Sequence, residues 1–348
     1  MEFGLFMEFY QRPGYSQAHA FRESLARAQV AEEVGLDSVW LSEVHFTPDR
    51  SVLASPLTVA SAIAAQTKNI HIGTAVAILP LDHPIRIAEE AATIDHISNG
   101  RFELGVGRSG LPRGYIGYNI PYSESRDRFF ESLEVIQKAW TTDHFSHNGQ
   151  FYTYTDVCVV PKPYQKPHPP IRVAVNSPDT FSRIGELGFS IFIGVRGGTE
   201  SLRELVLRYR LAYKKAGYKI GSNVSLRVPV YVADTEEKAF SEPQDSTMNF
   251  YRGLSPQLAE TRPDLSLEAN RERAERSSRM KNMNYRDVFQ ENVVYGTPDS
   301  VADRLYQLKE KFDLDGIVAE MNQGGLIPHD RIVHSIRLFA DDVMPRFK

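Results

Sequence analysis

The sequence alternates short, apolar, β-rich runs with amphipathic helical segments over most of its length. The pattern predicts strands near residues 2–7, 38–43, 70–77, 101–107, 171–176, 190–194, 226–233 and 316–320. It predicts helices near residues 18–34, 57–67, 85–98, 124–141, 178–187, 199–216, 235–250, 298–312 and 329–340. Strands that alternate with helices form parallel sheets. Eight such units in 348 residues predict a single α/β domain over residues 1–348, a (β/α)8 TIM barrel, with an open doubly wound sheet as the alternative.

Two stretches interrupt the alternation and are interpreted as insertions. Residues 143–170 contain Asn148-Gly149 and then five prolines, which predicts a hairpin followed by an extended segment. Residues 251–290 are polar and carry both signs of charge. This second stretch is either a solvated helical insertion or a lid over the barrel mouth.

Composition excludes several classes of protein. The single cysteine, Cys158, rules out an intramolecular disulfide, and the net charge of −4 comes without a basic patch, so no nucleic-acid partner is expected. The apolar runs are too short to span a bilayer, and the N-terminus lacks the basic region of a signal peptide. A cytoplasmic location is therefore expected.

A glycine-rich string follows the fourth predicted strand, from Gly105 to Gly110. It matches the G-x-G-x-x-G spacing of dinucleotide-binding folds, but that motif requires a helix to open at once. Here Pro112, Gly114 and Gly117 disfavour any helix. The string is better interpreted as a strand end whose glycines let a flat ligand approach the backbone.

An anion site is predicted where the fourth and fifth strands end. Arg108 follows the glycines and can fork onto a phosphate. After the next strand, a helix that begins at Pro178 directs its N-terminal dipole to the same face, and Ser177 and Thr180 add hydroxyl groups. The alternatives are a solvated arginine and a plain helix cap.

Polar side chains also end the second predicted strand. Glu43 and His45 are two residues apart and share a face of an extended chain. They can bind a ligand, act as acid and base, or simply hydrogen-bond the barrel rim. No set of converging metal ligands accompanies them, so no metal is predicted.

Four groups of short motifs occur in a characteristic order and spacing. They are Gly35-Leu36-Asp37-Ser38-Val39-Trp40 through Phe46; Gly73-Thr74-Ala75-Val76 with Pro80 and His83-Pro84-Ile85-Arg86; Ser98-Asn99-Gly100-Arg101-Phe102 with Gly105 to Arg108; and Tyr295-Gly296-Thr297-Pro298. Together they resemble the bacterial luciferase-like family of flavin-dependent monooxygenases. The resemblance runs from Glu2 to Pro345 and so covers nearly the whole chain.

The resemblance implies a barrel that binds reduced flavin mononucleotide (FMN) supplied by a separate flavin reductase. Arg108, Ser177 and Thr180 match the family's phosphate-binding positions, and Asn176 stands beside them. Glu43 and the backbone of Ala75 and Val76 match positions beside the flavin ring, as does Gly107. The family also implies a cis peptide bond between Ala75 and Val76.

The implied reaction is oxygenation of a small organic substrate by O2 through a flavin hydroperoxide. His45 and Glu43 are the candidate catalytic residues, which would position or protonate the peroxide. The light-emitting luciferase subunit has a histidine at the position of Val44, a cysteine at Gly107 and a glutamate at Asn176, so light emission is not expected. The alternatives are a deazaflavin-dependent oxidoreductase of the same fold and a flavin-binding partner subunit without activity.

A homodimer is also predicted. The helix from Leu57 to Ala65 is small and apolar on nearly every side, which favours close packing against other helices. The family's dimer uses this region and the helix that starts at Ile85. The alternative is burial of this helix within one subunit.

Overall fold

The fold was analysed in a computed structural model that describes residues 1–194, 199–219, 223–259 and 267–347. Its strands are β1 Glu2–Met7, β2 Ser38–Leu41, β3 His71–Thr74, β4 Ala77–Ile78, β5 Phe102–Gly107, β6 Phe145–Asn148, β7 Thr153–Val157, β8 Ile171–Ala174, β9 Ser190–Gly194, β10 Val224–Val232, β11 Val294–Gly296 and β12 Gly316–Glu320. Its helices are α1 Gln17–Glu33, α2 Pro56–Gln66, α3 Pro84–Ile97, α4 Pro112–Gly117, α5 Ser125–Thr141, α6 Pro178–Leu187, α7 Thr199–Lys215, α8 Glu236–Ser241, α9 Gln244–Ala259, α10 Leu267–Asn282, α11 Tyr285–Glu291, α12 Pro298–Phe312 and α13 His329–Leu338. No helix among these residues is both long and apolar enough to cross a membrane.

Eight of the strands close into a parallel barrel. Their order around the barrel is β1, β2, β3, β5, β8, β9, β10, β12 and back to β1. Every pairing in this circuit is parallel. The prediction of a (β/α)8 barrel is therefore confirmed, and the open doubly wound sheet is excluded.

Alternate residues of each strand fill the barrel in layers, as the two-residue period of a strand requires. In the lower layer the buried Arg172 donates from Nε to Glu103 Oε1 at 2.7 Å. Above it lies a layer of Phe6, Trp40, Phe192 and Val318, against which Ala75, Val76 and Ala174 pack. The Arg172 guanidinium is 5.3 Å from the Trp40 ring centroid and 5.1 Å from that of Phe192. This apolar layer lies towards the C-terminal ends of the strands and forms the floor of the barrel mouth.

The motif Ser98-Asn99-Gly100-Arg101-Phe102 has a structural explanation. Asn99 and Gly100 both have positive φ, 54° and 82°, which ends α3 and turns the chain into β5. The Arg101 guanidinium then donates to the carbonyl oxygens of Ala64, Thr67 and Ile70 at 2.8–3.0 Å. Arg101 thus satisfies carbonyl groups at the C-terminal end of α2, on the face of the barrel opposite the mouth.

Three boundaries differ from the predictions. The strand predicted at 70–77 is divided into β3 and β4, because the chain inserts one extra residue between them: β3 pairs Ile72 with Phe102, whereas β4 pairs Ala77 with Val106. The helix predicted at 235–250 is divided into α8 and α9 at Pro243, which lacks the N–H that a continuous helix needs. The short strand β11, which pairs with the upper end of β10, was not predicted.

The expectation of no helix after the glycine string is wrong. The short helix α4 forms there, with Pro112 in its first turn. Its glycines permit close packing: a Cβ at Gly114 would lie 2.8 Å from Leu81 Cδ1, and one at Gly117 would lie 2.1 Å from a Phe46 ring carbon. Tertiary contact has here outweighed the low helix propensity of glycine.

The two predicted insertions take different forms. The 143–170 stretch contains the hairpin of β6 and β7 around Asn148 and Gly149, as predicted. The 251–290 stretch contains the end of α9, then α10 and most of α11, while its residues 260–266 lie outside the described part of the chain. Arg273 of α10 donates to the carbonyl oxygen of Gly110 at 3.3 Å, so α10 reaches the glycine-rich string at the mouth.

Candidate active site

Small residues occupy the mouth where β3, β5 and β8 end. Gly105 does not face open space, because a Cβ there would lie 1.7 Å from the backbone oxygen of Thr74. Thr74 also donates from Oγ1 to the Gly105 oxygen at 2.6 Å. The interpretation that a ligand approaches this glycine is therefore wrong at position 105, where the chain's own backbone makes the close approach.

The segment that follows Thr74 contains the predicted cis peptide bond. The bond between Ala75 and Val76 is cis, which confirms the expectation from the family resemblance. Both residues are half-buried, and Val76 reaches across to the next strand: a Cβ at Gly107 would lie 2.5 Å from Val76 Cγ2. The absence of a side chain at 107 thus lets Val76 lie over the end of β5.

Glu43 and His45 form a buried pair beside this segment. Their Oε1 and Nε2 atoms are 2.6 Å apart, and their side chains are 9% and 7% exposed. Glu43 Oε2 also accepts from the backbone N–H of Ile78 at 2.9 Å. Burial raises the pKa of Glu43 despite these bonds, so this carboxyl holds a proton more readily than an exposed one.

The other ring nitrogen of His45 faces an aromatic rim. His45 Nδ1 lies 3.4 Å from the Tyr118 hydroxyl, and the two rings meet edge to face at 5.1 Å. Phe46 and Tyr118 are exposed beside it. The imidazole therefore has one nitrogen on a buried carboxyl and the other near a solvent-accessible phenol.

The Arg108 side chain extends from the end of β5, where it is half-buried and close to the first turn of α5. Its Nη1 donates to Ser125 Oγ at 3.3 Å. Its carbonyl oxygen accepts from the hydroxyl of the buried Tyr115. Tyr115 thereby fixes the backbone from which the Arg108 side chain extends, a contact that the sequence did not predict.

The first turn of α6 follows the adjacent strand β8. Ser177 stands at the N-cap, but its side chain accepts no bond from the helix backbone; its Oγ lies 2.6 Å from Thr180 Oγ1. Asn176 is exposed, and the Asp179 side chain is 81% exposed and so directed to solvent. Because β5 pairs with β8, Arg108 and this uncapped helix start lie at neighbouring strand ends.

Two ion pairs that the sequence analysis did not single out occupy the opposite wall. Glu8, just past β1, pairs with Arg50, and Glu320 at the end of β12 pairs with Arg227 of β10. Strand alternation would have placed Glu8 above Phe6 inside the barrel, but nothing in the sequence links these four residues.

The aromatic residues near the mouth lie on different sides of the barrel wall. Trp40 lies inside the barrel and Tyr118 lies at the rim, whereas Phe9 packs outside the barrel on Phe21 of α1, with ring centroids 5.2 Å apart. Within the described ranges, no three His, Cys, Asp or Glu side chains are grouped as metal ligands.

Comparison with known proteins decides the family. The profile of the luciferase-like monooxygenases matches residues 1–313. The chain belongs to the luciferase-like monooxygenase family. It is therefore an oxidoreductase, and the glycine string belongs to a barrel strand and not to a dinucleotide-binding fold.

Proteins similar to this chain include a flavin-dependent oxygenase and structures of the same fold that use FMN or F420. The oxygenase component of a flavin-dependent trigonelline monooxygenase from Acinetobacter baylyi is 28% identical over 69% of this chain and 67% of its own length. The oxygenating constituent of 3,6-diketocamphane monooxygenase from Pseudomonas putida, solved with FMN, superposes with a TM-score of 0.83 at 23% identity over 99% and 98% of the two chains. An F420-dependent secondary alcohol dehydrogenase superposes with a TM-score of 0.77 at 17% identity over 100% and 99%.

The departures from the light-emitting luciferase subunit can now be placed in this monooxygenase fold. Val44 is buried, and its backbone N–H donates to Leu53 O at 3.0 Å. Gly107 faces Val76, and Asn176 is exposed at the start of α6. Of these three positions, only Asn176 presents a side chain that is exposed to solvent.

Proposed function

We propose that this protein is an FMN-dependent monooxygenase that takes reduced FMN from a separate flavin reductase and uses O2 to oxygenate a small organic substrate. The observation that carries the proposal is the arrangement of the mouth. Anion-binding groups lie where β5 and β8 end, and a buried acid–imidazole pair lies near the cis bond, close to β2 and β3. The FMN-bound structure and the named oxygenase component among its relatives support the same assignment.

The donor set near β5 and β8 fits a phosphate. Arg108 supplies a positive charge and up to two parallel hydrogen bonds, and Ser125, Ser177 and Thr180 supply hydroxyl groups. The first turn of α6 adds the positive end of a ten-residue helix. The Asp179 carboxylate does not oppose this fit, because it is 81% exposed and lies 3.9 Å from Arg126 Nη1, so solvent and that cation screen its charge.

The neighbouring small residues fit a flat ring. Gly194 ends β9, and none of the described residues lies within 4 Å of the position that its Cβ would occupy. The half-buried Ala75 and Val76 present a backbone surface, and Glu43 lies on the same side through its bond to Ile78. Phe6, Trp40 and Phe192 close the floor with apolar surface, which excludes water from below.

Reduced FMN, when bound, supplies the electrons that activate O2. The chain's own contribution is proton handling and exclusion of water. Glu43, with its raised pKa, can hold a proton at Oε1 or pass it to His45 Nε2, 2.6 Å away. His45 can in turn position a polar group of the reactants at the mouth.

The deazaflavin alternative is a second candidate, because the F420-dependent dehydrogenase has the same fold. A deazaflavin transfers hydride and needs no oxygen. The third hypothesis, a partner subunit without activity, predicts flavin binding with no change in the flavin's reactivity. Reaction with oxygen separates the monooxygenase from the other two, and the choice of cofactor separates those two from each other.

The test is anaerobic loading of the protein with reduced FMN, followed by rapid mixing with O2. We expect oxygen to be consumed quickly while the visible absorbance of oxidised FMN returns only in a later, slower phase, because the closed site protects the activated oxygen. A single phase at the rate of free reduced FMN would favour the inactive subunit. Failure to bind FMN, together with binding of reduced F420, would favour the deazaflavin enzyme.

We also propose that the protein is a homodimer through α2 and α3. Pro56, Leu57, Ala60 and Ile63 of α2 are buried within the subunit, and its outer face carries the small residues Thr58, Ser61, Ala62 and Ala65 before it ends at the exposed Gln66. Small residues let two such helices approach closely. Light scattering should give the mass of two chains for the native protein and one for Ala62→Glu, whereas a native monomer would contradict the proposal.

A further inference from the structure

The wall of the mouth formed by β10, β12 and β1 carries charged side chains, unlike the small-residue wall across from it. In the strand order, β12 and β1 stand opposite β5 and β8, so this wall faces Arg108 across the barrel. Glu320 lies two residues beyond Val318, and Glu8 lies two residues beyond Phe6; both therefore share the inward face of their strands. Their ion pairs differ in how many of their polar atoms are hydrogen-bonded within the protein.

In the ion pair of Glu8 and Arg50, both carboxylate oxygens are hydrogen-bonded. The Glu8 side chain is fully buried, and Arg50 Nε lies 3.2 Å from each of its two oxygens while Nη2 makes a further short contact. Burial raises the pKa of Glu8, but the charge and hydrogen bonds of Arg50, together with Arg227 and Tyr10, lower that pKa below its usual range. Both oxygens of this carboxylate are therefore used within the protein.

In the ion pair of Glu320 and Arg227, each side chain keeps one polar atom without a hydrogen bond among the described residues. Arg227 Nη2 donates to Glu320 Oε2 at 2.8 Å, but Glu320 Oε1 and Arg227 Nε are buried atoms with no hydrogen-bond partner among the described residues. Glu320 is 4% exposed, whereas the Arg227 side chain is 26% exposed and lies over the Phe6 ring. A buried acceptor and a buried donor without partners cost free energy, so both atoms require a partner, which is either water or a bound ligand.

We propose that Glu320 and Arg227 form a binding subsite for an uncharged group that carries a hydrogen-bond donor beside an acceptor oxygen, such as an amide or imide. The N–H of that group would donate to Glu320 Oε1, and its carbonyl oxygen would accept from Arg227 Nε. The ion pair is neutral overall, which favours an uncharged ligand over a cation or an anion.

This inference rests on the proposed function for its setting, because two molecules held by a flavin oxygenase can present such a group. One is the imide edge of the flavin ring, and the other is an amide of the organic substrate. Ser42 adds a buried hydroxyl at the end of β2, on the inward face shared with Trp40, that has no partner in the described part of the chain, and it extends the polar part of the mouth.

The test measures two matched ligand pairs against the native protein and Glu320→Gln. FMN is compared with 3-methyl-FMN, which lacks the imide N–H, by fluorescence titration. Benzamide is compared with N,N-dimethylbenzamide by ligand-observed NMR, on the FMN complex or, if FMN does not bind, on the protein alone. Absence of FMN binding would thus reject the proposed function while the benzamide arm still tests the subsite.

We expect the native protein to prefer the N–H member of one pair by about tenfold or more. Preference for FMN identifies the flavin as the source, and preference for benzamide identifies the substrate. Glu320→Gln should reduce that preference to about threefold or less, whereas a simple steric clash with the added methyl groups would persist in the variant.

Glu103→Gln is the matched control, because Glu103 lies in the lower layer beneath Trp40 and Phe192 and is paired with Arg172. It should keep the native preference. If Glu320→Gln does not fold, Arg227→Lys replaces it, since lysine keeps the charge but lacks Nε. No preference in the native protein, or a preference unchanged in the subsite variant, would overturn the inference.

Discussion

Replacing Arg108 with alanine should weaken FMN binding by about 1.5–3 kcal/mol, or roughly 10- to 160-fold, as expected for the loss of a charged hydrogen bond. The side chain extends from the end of β5 beside Ser125 and the start of α6, where a phosphate would be shared among several donors. Fluorescence titration of FMN into the native protein and Arg108→Ala measures the change directly.

Riboflavin provides the internal check on this result, because it has the ring but no phosphate. Arg108→Ala should leave the affinity for riboflavin nearly unchanged. Arg183→Ala serves as the matched control, since Arg183 lies on α6 with its side chain 54% exposed, away from the first turn of the helix. Equal FMN affinity in the native protein and Arg108→Ala would remove the phosphate assignment.

A methyl group at Gly105 should be among the most damaging single changes in the chain. Its carbon would lie 1.7 Å from the Thr74 backbone oxygen, which is a backbone clash and cannot be relieved by a side-chain rotation. Overpacking a core costs about 1–3 kcal/mol and sometimes more, and we expect Gly105→Ala to reach about 3 kcal/mol or above. Urea unfolding followed by circular dichroism measures the loss.

Gly105→Ala should also weaken flavin binding, because it displaces the Thr74 carbonyl group, which directly precedes Ala75 and Val76 in the chain. Gly110→Ala is the control from the same glycine string: no atom of the described residues lies within 4 Å of its Cβ position, and no positive φ restricts it. That variant should remain within about 0.5 kcal/mol of the native protein. Similar stabilities for the two variants would show that the β3–β5 contact is not tight.

The sequence pattern was sufficient to predict the barrel because strands and helices alternate with distinct periods. It also placed residues that are close in sequence on one face, such as Glu43 and His45. Short or bent elements were missed. The division between β3 and β4 depends on an extra residue that is visible only in the pairing with β5, and α4 forms because Gly114 and Gly117 pack against Leu81 and Phe46.

Long-range polar contacts were missed for a different reason. Glu320 and Arg227 are 93 residues apart, and a charged side chain in a strand gives no sign of which distant strand its partner occupies. The bond from the Tyr115 hydroxyl to the Arg108 carbonyl was missed because it depends on the unexpected helix α4. The candidate phosphate site was predictable because neighbouring strands in sequence are also neighbours in the barrel.

The uneven distribution of side chains around the mouth bears on how such a protein diverges. Contact between β3, β5 and β8 is made largely by backbone and small side chains, so this side tolerates little variation at Gly105 or Thr74. Across the barrel, Arg227 and Glu320 interact through side chains alone. Mutations of these two residues can alter which molecules bind without disturbing the contacts of β3, β5 and β8. Related proteins can therefore acquire new substrates while the cofactor-binding side stays unchanged.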